Sequence, residues 1–194
     1  MIDEVKFDRQ IHYYRKMLNV QRLTGTPKLR SYNLAEHSFF VALLFQEFAK
    51  IENIDYDINV LNAVLKHDFL EVLTADLPYH VKNLSEETKE AWDVIENAVV
   101  EARRKDFIAP LMSDEDIHSA LNDEQFLLMK SCDILELLIF CKEEYELGNH
   151  SKAILVVLDN CFEIEKKYNI RSIVDYVERL KIEMFMEESY EKRK

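Results

Sequence analysis

The sequence predicts an all-α fold, a compact single domain over 1–194 built as a bundle of about seven or eight helices. Three observations carry that expectation. The 194 residues fall within the usual ~100–200 of one domain. Apolar residues make up 48% of the chain and recur at spacings of three and four along most of its length. Two Gly and three Pro leave too little turn chemistry for a many-stranded sandwich or a glycine-rich phosphate loop.

Phe7, Ile11, Tyr14 and Leu18 share a face and predict a first helix over about 3–23, ended by Thr24-Gly25-Thr26-Pro27. A basic connection containing Lys28 and Arg30 leads to Asn33, which caps a second helix with Glu36 three residues on. Val41, Leu44, Phe48 and Ile51 form its buried stripe. Asp57 caps a third helix, whose Val60, Leu61, Val64 and Leu65 run directly into His67-Asp68-Phe69-Leu70-Glu71, and Asp76-Leu77-Pro78 breaks the pattern. Ser85 opens a charged fourth helix with Ala91, Trp92, Ile95, Val99 and Ala102 inward and its carboxylates outward. Ser113 starts a short fifth. A long sixth runs over about 123–147 and closes on Gly148-Asn149, a left-handed cap. Two more follow, through Ile154, Val157, Leu158, Cys161 and Ile164, then through Ile173, Val177, Leu180 and Met184.

Asp and Glu outnumber Lys and Arg by 37 to 25, a net charge of −12, which repels duplex nucleic acid and anionic membranes. Cys132, Cys141 and Cys161 lie inside apolar helical patterns and read as buried small hydrophobes, not as a disulfide framework or zinc ribbon. Residues 1–10 hold no apolar leader segment, and no apolar run approaches the ~18 residues of a membrane span. A soluble, cytoplasmic protein is expected.

The informative residues are ionisable groups that interrupt apolar stripes. His37 lies on the inward side of the second helix, one turn before Val41. His67 and Asp68 follow an apolar stretch, and adjacent helical positions about 100° apart let both side chains converge beside the helix. Asp133 shares a face with Phe126, Leu137 and Phe140. Each has an ordinary reading: a core histidine bonded to a carbonyl, a chance His-Asp pair, an Asp133–Lys130 ion pair. Together, two His and two Asp from three helices form a mixed nitrogen and oxygen ligand set for one borderline divalent metal. Such an ion acidifies water and neutralises an incoming phosphate. Glu71, one turn after His67, is either a surface carboxylate or the group that orients or deprotonates the attacking water. Asp76 is turn chemistry or an acceptor for a sugar hydroxyl. Arg22, Lys28 and Arg30 concentrate positive charge just before His37, where a phosphate finds its countercharge.

The order of Glu36-His37, then His67-Asp68, then a lone Asp133 resembles the HD-domain metal-dependent phosphohydrolases. More narrowly, the run from His67 through Glu71 and Asp76-Leu77-Pro78 to Val81-Lys82 is similar to the signature of the bacterial 5′-deoxynucleotidases. Met129-Lys130-Ser131-Cys132-Asp133 and the later Gly148-Asn149 fall where that family has its last ligand and helix end. The resemblance implies an HD-domain helical bundle with His37, His67, Asp68 and Asp133 as metal ligands and Glu71 as the residue that positions or activates water. It implies that Arg22 orients the phosphate, and that Asp76, Leu77, Pro78 and Tyr79 form the substrate loop, with Asp68 and Asp133 also facing substrate. Leu23 stands where the family has Trp in the pocket wall. The implied reaction hydrolyses a deoxynucleoside 5′-monophosphate to deoxynucleoside and phosphate. One divalent ion (cobalt, manganese, copper, zinc, nickel, iron or magnesium) and a homodimer are implied with it.

Two other readings compete. One is an HD-domain deoxynucleoside triphosphate hydrolase releasing triphosphate or pyrophosphate, with Lys28, Arg30 and Lys82 holding the additional phosphates. The other is a non-catalytic nucleotide-binding regulator, which the presence of all four expected ligands and Glu71 disfavours.

Overall fold

The structure, a computed structural model, describes residues 3–82, 84–108 and 111–191. Its helices are α1 (Glu4–Lys16), α2 (Leu34–Glu52), α3 (Ile58–Leu65), α4 (Glu71–Thr74), α5 (Tyr79–Lys82), α6 (Glu86–Arg103), α7 (Asp114–Ala120), α8 (Asp123–Glu146), α9 (Lys152–Tyr168) and α10 (Arg171–Glu191). Among the described residues no strand forms beyond one antiparallel bridge between Gln21 and Asn33. No described helix is long and apolar enough to cross a membrane. Four of the expected helix boundaries, Asn33, Ser85, Ser113 and Gly148, are present. Asn33 accepts from the Glu36 amide at 3.0 Å, and Ser85 and Ser113 close capping boxes with Thr88 and Asp116. Gly148, at φ 98, turns the chain out of α8.

The chain packs as two compact units: Met1–Gly25, Ser31–Phe39 and Ile58–Asn122; then Thr26–Arg30, Phe40–Asp57 and Asp123–Lys194. In the first, Met17, Leu34, Phe69, Leu70, Val100, Phe107 and Leu111 form a buried cluster with Tyr13, Tyr14 and Val20 packed on it. Burying Phe69 and Leu70 stabilises by roughly 2–3 kcal/mol each and anchors the segment on either side of them. The second unit buries Leu128, Leu135 and Leu138 of α8, Ile154 and Leu158 of α9, and Ile173 and Val177 of α10. Cys132, Cys141 and Cys161 are free and buried in it, and burial pushes the Cys141 thiol up to about 12.

Several sequence expectations are corrected. The first helix ends at Lys16; Met17–Asn19 form a 3-10 turn, and Val20 is extended where the chain pairs with 32–34. Phe7, Ile11 and Leu18 are exposed, while Gln10 is buried because both ends of its amide are used: it donates to the Tyr14 hydroxyl and accepts from the Ile108 amide. Ile51 and Leu65 are exposed while Ala42, Phe45, Ala49 and Ala63 are buried, so the apolar faces of α2 and α3 are turned from the sequence stripe. On α6 the inward face is turned by one residue: Ile95 is exposed and Glu96 buried, because the Trp92 indole donates to its carboxylate at 2.5 Å. Phe126, Asp133 and Leu137 are half-buried; the fully buried stripe of α8 is Leu128, Cys132, Leu135 and Leu138.

In the second unit Glu144 ties the segment 26–30 to the end of α8. Its fully buried carboxylate accepts from the amides of Leu29 at 2.7 Å and Arg30 at 2.9 Å and from the Asn149 side chain at 2.8 Å. Burial opposes its charge, but the bonds from Leu29, Asn149 and Arg30 hold its carboxyl below the ordinary value of 4.5. Glu144→Ala is expected to cost about 2–4 kcal/mol at neutral pH, since it leaves two backbone amides without an acceptor. A carboxyl lowered by folding stabilises above its unfolded value and loses that contribution as pH falls through the folded one. Thermal melts of both proteins are therefore expected to converge in acid. A constant gap at every pH would refute the assignment.

Candidate metal centre

Three expected ligands meet in the first unit because local turns aim them at one point. His37 lies in the first turn of α2, its amide bonded to the Asn33 carbonyl at 3.1 Å, and it is fully buried. His67 and Asp68 do not continue α3. Residues 66–71 tighten into turns in which the His67 amide reaches Val64 at 3.3 Å and the Glu71 amide reaches Asp68 at 3.0 Å. Phe69 and Leu70 point into the core, which leaves the two preceding side chains beside it.

His37 Nε2 and His67 Nε2 are 3.3 Å apart, and Asp68 Oδ2 lies 3.3 Å from the second and 3.5 Å from the first. The far ring nitrogens are committed elsewhere. His67 Nδ1 is 2.9 Å from the Val64 carbonyl and must donate to it, so its Nε2 presents a lone pair to the cluster. His37 Nδ1 is 3.1 Å from the hydroxyl of fully buried Tyr32. An imidazole lone pair, a second imidazole and a carboxylate within 4.8 Å of one another form a donor set that one cation satisfies. The residues present therefore fit a divalent metal.

Around this cluster the charges alternate. Arg22 Nη1 donates to Asp68 Oδ2 at 2.5 Å and lies 3.6 Å from Glu71 Oε2. Burial opposes the charge of Asp68, but His67, Arg22 and His37 hold its carboxyl well below the usual range. Glu71 is buried and its Oε2 has no hydrogen-bond partner among the described residues. Burial and then Asp68 push its carboxyl up to about 8, with Arg22 and Lys82 opposing. Arg22 is placed by backbone pairing: its amide donates to the Tyr32 carbonyl at 2.9 Å, and the Leu34 amide to Val20 at 2.9 Å.

Beside Glu71 opens a groove of about 440 Å³ lined by Asn19 to Gln21, Thr24 and Glu71 to Asp76. Ala75 presents Asp76 to it from φ 64, ψ 163, a conformation that costs a residue with a Cβ about 1–3 kcal/mol. Leu23, half-buried at φ 51, is flanked by lining residues but is not itself one. Leu77 and Pro78 are half-buried; the Tyr79 side chain lies outside the described residues. Asp133 sits on α8, in the second unit, where its charge adds to burial in raising Cys132 and Glu165. Lys130 lies over the Phe126 ring at 5.7 Å. Arg30, expected at the phosphate, is paired with Glu143 at 2.7 Å and stacked on Phe140. Sequence reasoning missed Tyr32 and Glu96; neither carries a periodic signal, because each is defined by its partner.

Comparison with solved structures shows this fold in an HD-domain phosphohydrolase of Listeria innocua, TM-score 0.68 at 17% identity, covering 89% of this chain and 86% of that one. It also appears in the HD phosphohydrolase DatZ of cyanophage S-2L, TM-score 0.61 at 19% identity, covering 88% and 95%. The 5′-deoxynucleotidase YfbR of Escherichia coli (strain K12 / DH10B) is 30% identical over 158 residues, 73% of this chain and 77% of that protein. A family model described as 5′-deoxynucleotidase YfbR-like matches residues 10–192. Fold and donor cluster together define a metal-dependent phosphohydrolase of the HD-domain class, with a divalent ion as its cofactor. Within that class, the chain belongs to the YfbR-like 5′-deoxynucleotidase family.

Proposed function

We propose that this protein hydrolyses deoxynucleoside 5′-monophosphates to deoxynucleoside and phosphate. The observation that carries the reading is Arg22, a single guanidinium reaching both Asp68 of the donor cluster and Glu71. A guanidinium suited to bind phosphate, a metal-donor carboxylate and a second carboxylate with a spare acceptor oxygen thus share one spot. In this reading His37, His67, Asp68 and Asp133 hold the ion. When bound, it supplies a Lewis acid that acidifies water and neutralises phosphate charge. Asp133 joins the set from the order of residues along the chain and from family membership. The DatZ structure, which holds dA and one catalytic Zn2+, supports a single ion and a deoxynucleoside-sized site.

Arg22 exchanges part of its contact with Asp68 for the phosphate oxygens, as a planar bidentate donor is suited to do. In its ionised form Glu71 accepts a hydrogen bond from the attacking water at Oε2 and takes its proton. The new bond joins water oxygen to phosphorus, the bond to the sugar 5′ oxygen breaks, and that oxygen leaves with a proton from solvent, to which Glu71 returns the one it took. Asp76 accepts from a sugar hydroxyl, with Leu77, Pro78 and Tyr79 completing the loop and Leu23 backing it. The triphosphate reading is weakened by Arg30, whose charge is already matched by Glu143.

Mono-, di- and triphosphates of each deoxynucleoside, assayed with each divalent metal, test this directly. Orthophosphate from monophosphates alone is the expected product. Tripolyphosphate or pyrophosphate from triphosphates would replace this reading with the alternative. Sedimentation of the purified protein tests the homodimer that forms part of the same proposal.

A further inference from the structure

Glu71 faces two cations, one on each oxygen. Arg22 lies 3.6 Å from Oε2 but is closer to Asp68, at 2.5 Å, and in the reaction proposed above it turns toward the phosphate. Lys82, from α5, approaches the other oxygen, Oε1, at 3.7 Å. It is itself held from α6: its ammonium lies 4.0 Å from Glu96 Oε1 and 5.4 Å from the centre of the Trp92 ring. The Trp92 indole N–H donates to that same Glu96 oxygen at 2.5 Å, so the support on α6 is fixed by a hydrogen bond between two packed side chains. A nearly buried carboxylate on an otherwise solvated, charged helix needs partners, and the Trp92 indole and the Lys82 ammonium supply them.

We propose that Lys82 is a positioning residue for the hydrolytic reaction, orienting Glu71 through its Oε1 while Arg22 is occupied by phosphate, with Glu96 and Trp92 holding Lys82 in place. The proposal rests on Glu71 acting on the attacking water. In this role Lys82 acts through Glu71 and not on the phosphate: it fixes the direction of Oε2, the Glu71 oxygen that has no hydrogen-bond partner among the described residues. Without Lys82, Glu71 is left to Arg22 alone, and a carboxylate that loses its second anchor spreads over rotamers that do not face the water.

The experiment is a cycle of Lys82→Met, Lys82→Arg, Glu96→Gln and Glu71→Gln, each metal-loaded and assayed on a deoxynucleoside monophosphate. Removing a supporting group of this kind costs about 10–100-fold in activity. Lys82→Met is expected to lower kcat by about tenfold or more with KM and metal content unchanged, Lys82→Arg to recover most of it, and Glu96→Gln to lie between. In the Glu71→Gln background, Lys82→Met is expected to cause no further loss, because a residue that acts through Glu71 has nothing left to position. The single tryptophan makes intrinsic fluorescence a reporter of the same group of side chains, and Lys82→Met is expected to shift it. Normal kcat in Lys82→Met, a loss confined to KM, or an equal loss in the Glu71→Gln background overturns the proposal. Should Lys82→Met not fold, the ratio of Glu96→Gln to wild type in the two Glu71 backgrounds decides by the same criterion. Undiminished turnover in Glu71→Gln itself would instead refute the role of Glu71.

Discussion

Alanine at His67 or Asp68 is expected to abolish phosphate release, a loss of about 1000-fold or more, in a protein that still folds. A thousandfold corresponds to about 4 kcal/mol of transition-state stabilisation, more than any exposed ion pair on this surface supplies. The two side chains sit beside the apolar cluster and not in it: the anchoring is done by Phe69 and Leu70 next along the chain. His67→Ala deletes a lone pair that the Val64 carbonyl has oriented, and Asp68→Ala deletes both a donor oxygen and the acceptor that parks Arg22. Elemental analysis of each purified variant is expected to find the metal lost, with the helical circular dichroism retained. Full turnover in either protein would end the metal assignment.

That prediction was available from the sequence because ionisable residues in apolar stripes are conspicuous. His37, His67 and Asp68 were legible on that ground, and the first unit brings them together. The helical architecture was legible too, since Asn33, Ser85, Ser113 and Gly148 mark their boundaries by local chemistry alone. What failed were faces and partners. Ile95 and Glu96 exchange places because one indole hydrogen bond outweighs a marginal apolar stripe, and no periodicity reports an indole. Arg30 and Glu143 are 113 positions apart, so the loss of Arg30 from the phosphate reading needed tertiary structure. The left-handed Leu23 and Ala75 have the same origin: neither residue type announces a positive φ, and both are imposed by the turns around Arg22 and Asp76.

Glu71→Gln is expected to keep its metal and lose about 100- to 10,000-fold in kcat, the range that a positioned general base contributes. The substitution preserves the shape of the side chain and its place at the start of α4, so a fall in rate reports the missing base, not a collapsed turn. The site favours this separation. Glu71 lies four residues from His67 and faces the groove with one oxygen beside Lys82 and the other without a hydrogen-bond partner among the described residues. Arg22 offers a further contrast, because it touches both Asp68 and Glu71 and is proposed to bind phosphate. Arg22→Lys is expected to keep the charge but lose the planar fork, so its deficit falls on KM as well as kcat, whereas that of Glu71→Gln falls on kcat alone. Steady-state kinetics with metal content measured on the same samples separates the two. Loss of metal from Glu71→Gln, with normal turnover per remaining ion, would move Glu71 from water activation to the ligand set.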